Sequence, residues 1–220
     1  MKKSLFICGL VVFKLATPAG AAIEINNDWT VNTAIPDGSP VGITAYQTFQ
    51  NLSGNAISSV NVDLNISGGY NGDLVGYLTL QDANGTTATE MLLNRVGTTP
   101  SNPFGSSGSG FNVILSINGT ANGSIHNASG IPTGTWQPDS ANSLNGTFGG
   151  LTANGTWTLY LADMSLGGGT SILNSWGLDV SVVPEPARGG LIFGIGGLVA
   201  VAFGVLCRYQ PKIVSGIKPV

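Results

Sequence analysis

Val60-Asn61-Val62-Asp63-Leu64-Asn65-Ile66 decides the fold: apolar side chains hold every second position and polar ones stand between them. Successive side chains of an extended strand point to opposite faces, so this stretch buries one face and wets the other. The pattern recurs downstream at Leu74, Gly76, Leu78 and Leu80, then at Phe111, Val113, Leu115 and Ile117. It returns at Trp157, Leu159 and Leu161, and again at Trp176, Leu178, Val180 and Val182. Turn signals separate the segments, including six Asn-Gly pairs at Asn71, Asn84, Asn118, Asn122, Asn145 and Asn154. Each is suited to the positive dihedrals of a tight turn. No part of residues 23–182 sustains a helical period. Strands parted by turns, without alternating helices, predict an all-β fold, an antiparallel sandwich or jelly roll.

Two stretches interrupt the strands. Residues 100–110 are almost entirely Ser, Gly, Pro and Asn and read as a surface loop, and residues 119–134 as a second irregular stretch. Eight Asn-x-Ser/Thr acceptor patterns occur, at Asn51, Asn65, Asn84, Asn118, Asn122, Asn127, Asn145 and Asn154. Five of the eight are Asn-Gly-Ser/Thr, so turn chemistry accounts for most of them.

Charge is scarce and unevenly placed. Only 9% of the 220 residues are charged, against roughly a quarter in an ordinary soluble domain. This excludes a charged helical bundle, a coiled coil and a basic nucleic-acid binder. The 42% apolar content and mean hydropathy of +0.26 exclude plain disorder. The net charge of −3 is a cancellation: residues 23–182 carry ten carboxylates against Arg95 alone, or −9, and each end carries +3. So acidic a domain repels nucleic acid. Its stability owes nothing to disulfides, because the two cysteines are Cys8 and Cys207.

The two ends read as delivery segments. Lys2 and Lys3, an apolar run over residues 5–15 and the small residues Ala19, Gly20, Ala21 and Ala22 describe a signal peptide over residues 1–22, the substrate of a signal peptidase. Residues 189–207 hold no charge and just suffice to span a bilayer as one C-terminal transmembrane helix. Arg188 precedes the span, while Arg208, Lys212 and Lys218 follow it, so residues 208–220 form a cytoplasmic tail.

The order of short motifs between these ends resembles the P domain, or Homo B domain, that follows the catalytic domain in proprotein convertases of the kexin and furin type. The resemblance runs through Ile35-Pro36-Asp37, Val60 to Ile66, Gly72-Asp73-Leu74 and Leu78. It continues through Trp136-Gln137-Pro138-Asp139, Leu144-Asn145-Gly146, Gly155-Thr156-Trp157-Thr158-Leu159, Asp163, Leu173 and Trp176-Gly177-Leu178. The match covers residues 35–182 of a sandwich reading of 23–182, and implies a jelly-roll sandwich. Where such domains often carry His before the Gly-Asp-Leu segment, this chain has Gly68-Gly69-Tyr70. The C-terminal part resembles the PEP-CTERM sorting signal of Gram-negative bacteria: Pro184-Glu185-Pro186 in a linker over 183–188, then the apolar span, then Arg208. That resemblance implies export through the inner membrane, transient anchoring, processing by an exosortase-type enzyme and delivery to the cell surface or extracellular matrix. The prolines keep the linker extended beside the membrane.

P domains accompany subtilisin-like serine proteases, so a triad is the first chemistry to test. The sole histidine, His126, lies in a polar stretch and reads as a solvated loop residue; the Gly-Thr-Ser-Met-Ala and His-Gly-Thr signatures of subtilisin-type enzymes are missing. No catalytic residue is expected. Zinc would need clustered His and Cys, whereas calcium takes oxygens from Asp- and Asn-rich loops. Asp37, Asp73 and Asp163 occupy the motif positions of the resemblance and are the candidate calcium ligands; the alternative is that they cap turns. Trp157 and Trp176 alternate with apolar residues and read as core, Trp29 could be exposed, and Trp136 is the candidate sugar contact. The leading expectation is a non-catalytic surface or matrix protein with a binding or structural sandwich. The rivals are an accessory domain serving a separate serine peptidase, and a weak carbohydrate-binding module for exopolysaccharide.

Overall fold

The computed structural model describes residues 23–52 and 55–184. The signal segment, the span over 189–207, the tail, and Glu185, Pro186 and Arg208 of the sorting motif lie outside the described residues. Among the described residues no helix is long and apolar enough to cross a membrane. The described residues belong to the first unit of the chain, which ends at Pro184.

The first unit is all-β, with two sheets. The chain forms β1 (Ile23–Ile35), β2 (Ile43–Phe49), β3 (Asn55–Ser67), β4 (Leu74–Asp82), β5 (Thr87–Asn94), β6 (Gly110–Leu115), β7 (Thr133–Trp136), the short helix α1 (Leu144–Phe148), β8 (Gly155–Asp163) and β9 (Ser171–Pro184). One sheet has the order β1-β9-β3-β6-β7 and the other β2-β8-β4-β5. Every pairing is antiparallel except β6 with β7.

Alternation places the core between the sheets. Val60, Val62, Leu64 and Ile66 of β3 face inward with Trp176, Leu178, Val180 and Val182 of β9 and Phe111, Val113 and Leu115 of β6. Leu74, Leu78 and Leu80 of β4 and Trp157, Leu159 and Leu161 of β8 meet them from the second sheet. At a tilted 5.1 Å, the Trp157 ring packs on Phe148 of α1. Its indole N–H donates to the Ala153 carbonyl at 3.2 Å, so the buried donor is satisfied. Deleting so large a buried ring costs about 3–5 kcal/mol.

Several expectations are corrected. β6 ends at Leu115, so Ile117 is 39% exposed and continues no strand. Residues 119–134 contain the single-turn 3-10 segments Gly119–Ala121 and Ile125–Asn127 and run into β7. Of the six Asn-Gly pairs, Gly85, Gly123 and Gly155 have positive φ, whereas Gly72, Gly119 and Gly146 do not. Asn145 and Gly146 lie inside α1, where Ser143 caps the helix and Asn145 Oδ1 accepts the Val60 N–H at 2.9 Å. β9 continues through Val183 to Pro184, pairing with Ala56 and Asn55, so the sandwich takes the first two residues of the expected linker. Its parity switches near Asn174, where β3 passes from the Asn65–Ser175 pair directly to Ile66–Leu173. The extra residue is a bulge, and it returns Leu173 to the core.

Candidate cation site at one end of the sandwich

Strand register brings two aspartates together. Leu74 at the start of β4 pairs with Asp163 at the end of β8, so Asp73 and Asp163 lie at the same end of one sheet. Asp73 arrives on the 3-10 turn Asn71–Asp73. That turn is held by the fully buried Asn71, whose amide donates to the carbonyls of Gly110 at 2.9 Å and Gly130 at 3.0 Å and accepts the Gly110 N–H at 2.8 Å. A Cβ on Gly72 would strike the Phe104 carbonyl oxygen, so this pair is glycine for closeness, not for a turn. The Asp73 carbonyl accepts the Met164 N–H at 2.8 Å, tying the turn to the β8–β9 loop.

Both carboxylates are buried: Asp73 is 5% exposed and Asp163 is 0%. Asp163 Oδ1 accepts the N–H groups of Ser165 at 3.1 Å and Gly38 at 3.4 Å, while its Oδ2 is buried with no partner. Burial, then the charge of Asp163, pushes the Asp73 carboxyl up; a hydrogen bond with Ser165 and the charge of Arg95 oppose this, and Asp37 adds to the rise. Arg95 is the one Lys or Arg among the described residues. Its donors go to the Gly72 carbonyl at 3.1 Å, the Pro103 carbonyl at 3.2 Å and Ser165 Oγ at 3.2 Å. Two like-charged buried groups with one unfilled oxygen favour a proton or a cation between them.

Asp37 belongs to the same end but points elsewhere. Its two oxygens accept the Gly167 N–H at 3.1 and 3.2 Å, so it closes the loop after β1 onto the β8–β9 loop. Among the described residues no three His, Cys, Asp or Glu side chains gather closely enough to hold a metal ion. The three candidate calcium ligands therefore form no three-carboxylate shell: Asp73 and Asp163 are adjacent, and Asp37 caps a loop. Two carboxylates without His or Cys beside them offer oxygen donors, which suit calcium and not zinc.

His126 is no solvated loop residue. Its Nδ1 meets Asp139 Oδ2 at 2.7 Å and its Nε2 meets the Thr98 carbonyl at 2.9 Å. Both partners accept, so the doubly protonated ring satisfies both. Burial works to lower its pKa, but hydrogen bonds to Asp139 and Thr98 outweigh burial and raise it above 6.5. The ring clamps three loops that have no periodic pattern, which is why no sequence signal marks it. Trp136 also differs from an open sugar platform: it is half-buried against the core, with its indole N–H donating to the Thr133 carbonyl at 2.9 Å. Trp29 packs inward too, 5.0 Å from Trp176 and 6.1 Å from Phe49.

No protein-family model matches the chain, and no curated protein matches it in sequence. Among solved structures it is similar to the serine protease of Aeromonas sobria in complex with the chaperone ORF2, at 15% identity over 77% of this chain and 28% of that one, with a TM-score of 0.45. The Aeromonas sobria protease by itself gives 16% identity over 76% and 28%, with a TM-score of 0.44. The VP2 subviral particle of infectious bursal disease virus gives 13% identity over 83% and 38%, with a TM-score of 0.33. The chain thus spans 28% of the length of the two protease chains. At these scores none of the three carries an argument about this chain.

Proposed function

We propose that this chain is an exported, non-catalytic binding module of P-domain type, sorted to the cell surface or matrix by its C-terminal signal. The observation that carries the reading is the state of His126: both ring nitrogens are held by acceptors, so neither is open to deprotonate a nucleophile. The strand orders β1-β9-β3-β6 and β2-β8-β4-β5 support a jelly roll to which β7 adds an edge. Purified full-length chain is expected to cleave no peptide and to stay unlabelled by a serine-reactive fluorophosphonate; labelling overturns the reading. The delivery part is checked by intact mass: the mature form ends its leader at Ala21 or Ala22 and loses its tail near Glu185.

Calcium is the ion this module takes, held by Asp73 and Asp163 with neighbouring main-chain oxygens. The orphaned Asp163 Oδ2 supports this. A melting temperature unchanged by excess chelator removes calcium from the reading.

The surroundings of that end favour a second reading, an accessory domain docking on a separate subtilisin-like peptidase. Leu166 and Phe104 are 85% and 79% exposed and Tyr70 is 45% exposed, and exposed apolar rims mark protein contacts. Co-elution with a purified subtilisin-type peptidase, lost in Leu166→Ser, would favour it over the free-standing module.

A further inference from the structure

The outer face of the five-stranded sheet carries a trough of about 510 Å3 across β1, β9, β3 and β6. It adjoins a second hollow of about 320 Å3 that shares Asp28, Asp63 and Ile114. Register makes its floor. Gly177 of β9 lies between Asp28 of β1 and Asp63 of β3 in one cross-strand row. In the next row Asp179 stands between Asn26 and Asn61. A Cβ on Gly177 would strike Asp28 Oδ1, so the missing side chain leaves the room into which that carboxylate leans. Asp28 and Asp63, two strand spacings apart, are thus separated by a notch of roughly 10 Å between Cα atoms. Asp179 accepts the Asn61 amide at 3.1 Å. Burial, then the charges of Asp28 and Asp179, pushes the Asp63 carboxyl up, so a positive guest relieves an existing strain. Arg95 is spent at the other site.

The floor also selects among positive guests. β9, β3 and β6 are interior strands, so their backbone donors and acceptors are used in the ladder. An extended peptide lying here would find no main-chain partners, and the one aromatic residue lining the trough, Trp29, packs on Phe49 and Trp176 and forms no pocket for an anchor residue. It offers side-chain carboxylates and amides, which hydrogen-bond hydroxyl and ammonium groups. Neutral sugars would want an exposed aromatic face, which Trp29 does not present, being packed on Phe49 and Trp176.

We propose that this trough binds a cationic, hydroxyl-rich glycan, a chain of amino sugars with free ammonium groups. The proposal rests on the binding-module reading and names its ligand class. The ammonium groups sit between Asp28 and Asp63 and beside Asp179, and the hydroxyls meet the flanking asparagines.

Calorimetric titration of the full-length chain with the β-1,4-linked glucosamine hexamer tests it. Binding is expected, at least tenfold tighter than to the N-acetylated hexamer or to cellohexaose, and weakened about tenfold in Asp63→Asn. Asp28→Asn, at an exposed position of β1, is the second variant should the first fail to fold, with the same expected loss. Three results overturn the proposal: no binding of the hexamer, binding unchanged in both variants, or hexalysine binding as tightly, which would mark a site for basic peptides. A chain that stays unlabelled by the serine-reactive probe yet ignores the hexamer loses only this inference. Labelling overturns the module reading itself.

Discussion

The two groups of carboxylates in this domain are made of the same residue type and behave as opposites. At the end of the sandwich, Asp73 and Asp163 are closed off from solvent, Asp163 is fixed by the N–H groups of Ser165 and Gly38, and its second oxygen is left without a partner. On the outer sheet face Asp28 is exposed and Asp63 and Asp179 are half-buried, the three disposed by the pleat over about two strand spacings. Burial makes the difference. A dry pair suits a small cation that gives up its waters, whereas a wet row suits a ligand that keeps hydroxyls and charge in solvent.

Backbone substitution separates the two regions most sharply. Gly72→Ala drives a methyl into the Phe104 carbonyl, which is main chain and cannot step aside, and is expected to cost about 3 kcal/mol in urea unfolding. Gly177→Ala meets the tip of the Asp28 side chain, which can rotate, and is expected to cost about 1 kcal/mol. Equal costs would erase the distinction between a closed end and an open face.

Calcium is the next lever. Saturating calcium is expected to raise stability by about 1–3 kcal/mol through preferential binding to the folded state. The gain disappears in Asp163→Asn and persists in Asp63→Asn. The reverse pattern would move the ion to the sheet face.

Proton linkage gives a smaller effect. The folded pKa of Asp63 is raised above 3.8 and that of His126 above 6.5. In both cases the native state holds its proton more tightly than the unfolded chain. Each contribution is therefore complete below the unfolded value and fades as pH rises through the raised one. Stability measured without calcium should fall in two steps from acid to alkaline pH. Asp63→Asn shrinks the first, to which the raised Asp73 also contributes, and His126→Gln flattens the second; a rise in stability across the second window would remove the clamp. Trp136→Phe is expected to do least, about 1 kcal/mol for one lost hydrogen bond, with no change in hexamer binding.

Legibility followed periodicity. The five segments with strong alternation are β3, β4, β6, β8 and β9. β1, β2, β5 and β7 were not legible, each for a local reason. In β1, Asn26, Asn27 and Asp28 dilute the pattern, and a bulge between Thr30 and Thr33, with Asn32 at φ 51°, breaks it. β2 presents Ala45 and Gln47 where a core strand would hold large apolar residues. In β5, Glu90 sits buried beside α1, accepting a hydrogen bond from Thr147. β7 is four residues long and pairs in parallel, which no turn signal announces. Asp37, Asp73 and Asp163 were nameable only through the order of short motifs, and that order did not reveal that Asp37 would be spent on Gly167.

The sequence by itself determined the all-β class, the inward set of side chains and the acidity of the domain, because a period of two and a count of charges are local properties of the chain. Which aspartates would become neighbours was decided by the tertiary structure. Asp73 and Asp163 are ninety residues apart in the chain and meet because Leu74 and Asp163 share a register position. Asp28 and Asp63 face each other across Gly177 because β9 inserts between β1 and β3. Alternation assigns a side chain to a face; only the packing of the whole sandwich selects which strand lies beside it, since pairing and register are fixed by burying every inner face at once.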